Sequence, residues 1–249
     1  MNRTHLCRAT ARDRRTVLRS ALGLAGLGFG GGLGALFPAT PAFAAAMSKD
    51  ERDKLTPDQV LEMLKQGNER FRTGKMHSHD YLAQKRATAA GQYPAAAILS
   101  CIDSRAPAEI LLDTRIGDSF NARVAGNIAN DDLLGSLEFA CAAAGAKLVL
   151  VMGHSACGAI KGAIDNVELG HLTGLLKRIR PAVSATVYTG ERSSKNAAFV
   201  DEVAKTNVLR TVSEIREQSS VLRDLEQAGK LKLVGSMYHL VGGRVEFLS

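Results

Sequence analysis

The sequence predicts an α/β fold: a mainly parallel β-sheet flanked by helices, with an N-terminal helical arm. Three observations carry the prediction. Two short runs, AAAILS at 95–100 and KLVLVMGH at 147–154, are almost wholly apolar, as strands covered on both faces are. Stretches with helical periodicity lie between and after such runs. Each run also ends abruptly in polar residues, where a buried strand would reach the edge of its sheet.

The elements follow in order. TPDQVLEMLKQGNERFRT (56–73) reads as a helix: Thr56 caps it, Pro57 takes the first helical position, and Val60, Leu61, Leu64 and Phe71 form an apolar stripe. Residues 75–93 are polar and read as a loop with some helix. The first strand is 95–100. EILLD (109–113) is a short helical or extended turn, and SFNARVAGN (119–127) supplies a second strand that ends in a loop at Gly126 and Asn127. DDLLGSLEFACAAAGA (131–146) is a helix for which Asp131 or Asp132 is the expected cap. After the strand at 147–154, SACGAIKGAIDNV turns into a helix. Helices are expected over 171–187, 198–217 and 219–228, with a polar loop at 189–196. KLKLVGSMYHL (230–240) and GRVEFL (243–248) pair as strands about Gly242 and Gly243. No repeat or domain-scale linker interrupts this pattern, so residues 45–249 are expected to form one domain.

The first 44 residues read differently. They hold six arginines and one acid, Asp13. A basic stretch ending in DRRTVLRS leads into seventeen apolar residues, 21–37, seven of them glycine, and then into PATPAFAAA with small residues at Ala42 and Ala44. This is the layout of a cleaved export signal, and Arg14, Arg15 and Leu18 resemble a twin-arginine signal. A membrane span is the competing reading, but seventeen residues is at the lower limit for one and glycine is abundant. An Arg-rich mitochondrial presequence is the minor alternative. The expectation is an exported protein, periplasmic by the twin-arginine route, cleaved near Ala44 and not held in a membrane afterwards.

Of the 249 residues 45% are hydrophobic and 23% charged, and the formal charge is +7. Five of those charges belong to residues 1–44. The remaining 26 basic and 24 acidic side chains give no reason to expect nucleic acid, and the chain has no tryptophan on which bases could stack. Outside the signal there are three cysteines, Cys101, Cys141 and Cys157. An odd number is no disulfide framework, and metal ligation would explain thiols that persist after export.

Two motifs concentrate the chemistry. CIDSR (101–105) ends one core strand and GHSACGA (153–159) ends another. Cys101 and Asp103, two apart on extended backbone, face the same side. His154 and Cys157, three apart in a tight turn, can face one ion. Cys101, Asp103, His154 and Cys157 together are a reasonable tetrahedral set, and thiolate with imidazole favours Zn²⁺ over Mg²⁺ or Ca²⁺. Cys141, in FACAAAG, reads as a core residue. His77 and His79 read as members of a solvated loop, and His171 and His239 as structural.

C-x-D-S-R followed by G-H-x-x-C-G resembles the β-class carbonic anhydrases. The similarity extends through GQYPAAAILSCIDSRAPAEILLD, GDSFNARVAGN, SLEFACAAAGAKLVLVMGHSACGAIKGA and GKLKLVGSMYHLVGGRVEFL, roughly residues 56–249. The resemblance implies a carbonate dehydratase: reversible hydration of CO₂ to bicarbonate and a proton, with one Zn²⁺ per chain. It implies Cys101, His154 and Cys157 as zinc ligands and Asp103–Arg105 as the family's dyad. In some members the aspartate binds zinc directly; in others the arginine holds it away and a water or hydroxide takes its place. Gln92, nine residues before Cys101, matches a glutamine that positions the bicarbonate-like species, often across a dimer interface. Gly158 matches a backbone amide near the substrate. A homodimer or dimer of dimers is implied. Two thiolates on the ion predict a less acidic water than three histidines would, hence activity at mildly alkaline pH. Arg123 matches a regulatory bicarbonate position, but by spacing Ile98 and Phe139 stand where its aromatic partners belong, so Arg123 is expected to support the sheet or a dimer edge. Two other readings stay open: a CS₂ or COS hydrolase with the same ligands, and a non-catalytic, zinc-stabilised binding protein.

Overall fold

A computed structural model describes residues 46–248. The expected export signal, 1–44, lies outside the described residues. The arm begins with α1 (Lys49–Lys54), where Ser48 and Glu51 satisfy each other's backbone amides in a capping box. Arg52 is buried and donates to the Ala144 carbonyl, while Lys147 Nζ donates to the carbonyls of Asp53 and Leu55. These bonds dock the arm beside the start of a central strand. Next comes α2 (Pro57–Arg72), with Pro57 at its first position and Thr56 capping it in a second box with Gln59. Val60 and Leu64 of the expected stripe are buried, and Leu61 and Phe71 are partly so.

The polar segment after α2 contains α3 (Tyr81–Thr88), capped by Asp80. Here one expectation is corrected: His79 is not solvated. Its Nε2 lies 2.8 Å from Asp113, which also accepts from Arg70 Nε at 2.5 Å and from the His77 amide at 3.2 Å. The Asp113 side chain has no exposed surface, so its charge requires donors on every side, and this loop folds down to supply them.

Five strands form one sheet: β1 (Ala96–Ser100), β2 (Ser119–Arg123), β3 (Leu148–His154), β4 (Lys232–Tyr238) and β5 (Val245–Leu248), in the order β2-β1-β3-β4-β5. The first four are parallel; β5 returns antiparallel to β4 through Gly242 and Gly243, both with positive φ. β1 and β3 are buried along their whole lengths. Alternate residues face opposite layers. Ala97, Leu99, Val149 and Val151 pack against α5 (Asp131–Glu138), α6 (Gly158–Ile164), α7 (Gly170–Ala185), α8 (Ala197–Gln218) and α9 (Ser220–Gln227). Ala96, Ile98, Leu148, Leu150 and Met152 pack against α2 and the short α4 (Ala108–Leu111). At about 1.5–3 kcal/mol for each fully buried Leu, Ile or Val, the two central strands anchor both layers.

Two details differ from expectation. Asn130 caps α5, in place of Asp131 or Asp132, because its side chain reaches the Leu133 amide. The helix expected over 131–146 also changes winding after Glu138, and residues Phe139–Ala143 form a π-helical turn. Among the described residues no helix is long and apolar enough to cross a membrane.

Candidate metal centre

In this strand order the chain leaves β1 to one side for β2 and then crosses to β3 on the other. The crevice between the carboxyl ends of β1 and β3 is therefore the switch point where open α/β sheets bind ligands. The register pairs Ser100 with Met152, so Cys101 emerges beside Gly153, next to His154 at the end of β3. Gly153 precedes His154 because α8 and β4 crowd it: a Cβ there would stand 2.6 Å from Val208 and 2.9 Å from Met237.

Cys157 closes the group from the turn after β3. The ligand atoms of Cys101, His154 and Cys157 all lie within 4.8 Å of one another, and all three residues are buried. The two sulfurs are 4.0 Å apart, close to the roughly 3.8 Å separating two thiolates that bind one tetrahedral zinc at 2.3 Å. His154 Nδ1 lies 3.0 Å from the Ser155 carbonyl, which can only accept, so the proton sits on Nδ1. That leaves Nε2 with its lone pair directed at the sulfurs, buried and without a hydrogen-bond partner. An orphaned imidazole nitrogen facing two thiols is a poor arrangement unless a cation completes it, and the donor set is the one zinc favours.

The thiols are not equivalent. The hydrogen bond from Cys157 pulls the Cys101 pKa down against its burial, and the Gly126 amide, 3.3 Å from the sulfur, adds to the effect. Cys157 is driven up by the same partnership and by burial. Cys141 is remote from this group; burial alone lifts its thiol to about 12, as befits the core residue expected.

Asp103 faces the group, with Oδ2 3.7 Å from His154 Nε2, but Arg105 holds it. Arg105 Nε and a terminal nitrogen donate to its two oxygens at 3.0 and 2.8 Å, and the Arg105 amide adds a third bond at 2.9 Å. Those donors keep the carboxyl far below the usual range, fully ionised and acceptor-only. Asp103 therefore stands beside the three-residue group and not within it.

Gly158 is the first residue of α6, directly after Cys157, and a Cβ there would meet nothing within 4 Å. Gln92 is elsewhere. It precedes β1, at the end of the sheet opposite Cys101, and is exposed. Three further residues support the site. Arg123 donates to the carbonyls of Cys101 and Asp103 at 2.9 and 2.6 Å, so it clamps the CIDSR turn, which is more than support for an edge. Asn207 of α8 donates to the Gly126 carbonyl at 2.8 Å and so fixes the amide that faces Cys101. Asp201 of α8 accepts from the Ala156 amide at 2.8 Å. Nothing in the local sequence signals the last two, because their partners lie on distant segments.

Comparison with known proteins agrees with this geometry. The family model described as carbonic anhydrase matches residues 96–245. A carbonic anhydrase of Mycolicibacterium smegmatis is 33% identical over 195 residues, covering 78% of this chain and 94% of its own length. Carbonic anhydrase 2 of Mycobacterium tuberculosis is 35% identical over 190 residues, covering 76% and 91%. Among solved structures, a tetrameric β-carbonic anhydrase from Sordaria macrospora superposes with a TM-score of 0.57 at 25% identity, covering 65% of this chain and 83% of that one.

Proposed function

The chain belongs to the β-class carbonic anhydrase family and is a zinc-dependent carbonate dehydratase, and we propose how its residues divide the work. Cys101, His154 and Cys157 hold the ion; the observation that carries this is the unpartnered Nε2 of His154 facing two sulfurs 4.0 Å apart. When bound there, zinc supplies Lewis acidity that brings the pKa of water at its open position toward about 7.

The protein's share is orientation. Asp103 accepts a hydrogen bond from the attacking oxygen and points a lone pair at the carbon of CO₂. The new C–O bond forms as one C=O π pair moves onto oxygen, giving bicarbonate, and the proton removed from water leaves to solvent. Arg105 keeps Asp103 ionised and off the ion through its bidentate pair. The Gly158 amide faces the substrate oxygens, where the missing Cβ leaves room for them. Gln92 positions bicarbonate in the site of a second copy, since its own site lies at the far end of β1. The chain therefore works as a homodimer or dimer of dimers, a reading supported by the tetrameric Sordaria macrospora relative.

Stopped-flow CO₂ hydration with measured zinc content tests this assignment. Asp103→Ala should bind one zinc per chain and lose about 10–100-fold in activity. Zinc-loaded wild-type protein that turned over no CO₂ between about pH 7 and 9 would sink the reading.

Residues 1–44 are proposed to act as a twin-arginine export signal that delivers the folded domain to the periplasm, supported by Arg14, Arg15 and the apolar 21–37 stretch. An Arg14→Lys, Arg15→Lys variant should remain uncleaved in the cytoplasm. Unchanged periplasmic enzyme would overturn the proposal.

A further inference from the structure

The turn that carries His154 and Cys157 contains an unusual residue. Ala156 has φ of 54°, in the left-handed region that an L side chain disfavours and glycine does not. Ala156 lies between the two ligands, so its backbone angles set the direction in which Cys157 leaves β3. A relaxed Ala156 would swing Cys157 Sγ away from Cys101 and His154.

Three bonds to other segments hold the turn. The Ser155 amide donates to the Tyr238 carbonyl at 2.9 Å, and Ser155 Oγ accepts from the Leu240 amide at 3.0 Å. Both tether the residue before Ala156. The Ala156 amide itself donates to Asp201 Oδ1, 45 positions away on the second turn of α8, at 2.8 Å. A charged acceptor makes this the strong kind of hydrogen bond. The bond fixes the peptide between Ser155 and Ala156; with Ser155 also tethered, that peptide can rotate only by changing ψ of Ser155 and φ of Ala156 together, so the bond opposes escape from the left-handed region.

We propose that Asp201 is a positioning residue for the metal centre: its carboxylate holds Ala156 left-handed and thereby places Cys157 Sγ against Cys101 and His154. Asp201 touches neither ligand nor substrate. The inference rests on the zinc reading above, and it predicts that the need for Asp201 disappears when residue 156 adopts the conformation freely.

The test is zinc affinity measured by competition with a chromophoric chelator, with Co²⁺ in place of Zn²⁺ to read the thiolate-to-metal absorption. Asp201→Ala should bind zinc about 10–100-fold more weakly and show an altered cobalt spectrum. Asp201→Asn, which keeps an acceptor oxygen, should stay within about threefold of wild type. Ala156→Gly added to Asp201→Ala should restore most of the affinity and the spectrum, because glycine takes positive φ without penalty. If Asp201→Ala does not fold, Asp201→Glu, which displaces the acceptor by one methylene, carries the same prediction and the same rescue. Wild-type zinc affinity in Asp201→Ala, or a loss that Ala156→Gly leaves unrepaired, would overturn the positioning role. Wild-type protein that binds neither metal would overturn the zinc reading together with it.

Discussion

Two aspartates, each paired with an arginine, show how environment assigns a residue its role. Asp103 is half-open, faces the metal ligands and is held by one partner, so it remains available as an acceptor. Asp113 is closed in. It adopts φ of 47° and is surrounded by Arg70, His79 and the His77 amide. Burial alone would raise its carboxyl pKa, but Arg70, His79 and the amide outweigh burial and hold it below the ordinary value. A carboxyl lowered in the folded state adds stability that is present above the unfolded pKa, about 3.9, and is lost as pH falls through the lower folded value. Asp113→Asn keeps the shape and tolerates the left-handed backbone, so it removes mainly the charge. It should lose about 2–3 kcal/mol at pH 7. Urea unfolding of wild type and variant between pH 7 and 3 should show the two curves converging below about pH 4. A difference that stays constant over that range would mean the charge is not what stabilises this cluster. The sequence pointed to Asp103 because its partner lies two residues away. It missed Asp113 because its partners are separated by 34 to 43 positions.

Elements show the same division between local and distant signals. Thr56 and Pro57 mark the start of α2 within four residues, and the capping box forms as those residues predict. The apolar runs at 95–100 and 147–154 became the two fully buried strands, and the ligand motifs at their ends became the metal group. The cap of α5 fell to Asn130, which was not expected, because asparagine and aspartate cap about equally well and only the path of the entering chain decides which one does. The π-helical turn at Phe139–Ala143 left no mark in composition. Least legible was α8. By periodicity it is an ordinary core helix, with Phe199, Val200, Val203, Val208 and Ile215 buried. Yet Asp201 reaches the loop after β3, and Asn207 reaches the loop after β2, 81 positions back. One helix thus bears on the ligand turn after β3 directly and on Cys101 only through the β2 loop, whose Gly126 amide faces that sulfur. Such bonds depend on how α8 crosses the sheet, and no periodicity in the helix itself encodes that crossing.

At the scale of the whole molecule, the parallel sheet separates Gln92 from the chemistry it is proposed to serve. Five residues of rise from Ala96 to Cys101 put about 16 Å between the two ends of β1, and Gln92 lies further still from Cys101. The edge strand β2, whose outer side carries no strand partner among the described residues, borders a groove of about 630 Å³ lined by Phe120, Phe139, Leu133 and Asn121. An unprotected edge beside exposed Phe139 is a surface that association would cover. If a two-fold pairing brings Gln92 of one copy to the metal centre of the other, lesions in Gln92 and Asp103 must complement each other. Gln92→Ala and Asp103→Ala chains should each assemble into weakly active oligomers. A hybrid should contain one site with both lesions and one with neither, and so recover about half of its sites. Random mixing of equal amounts, by co-expression or by unfolding and refolding together, would then restore about a quarter of wild-type CO₂ hydration. If Gln92 acted on its own chain's centre, every site in every hybrid would carry one lesion, and mixing would restore nothing. The recovery therefore separates an active site built between two copies from one built within each, without requiring that the interface be known beforehand.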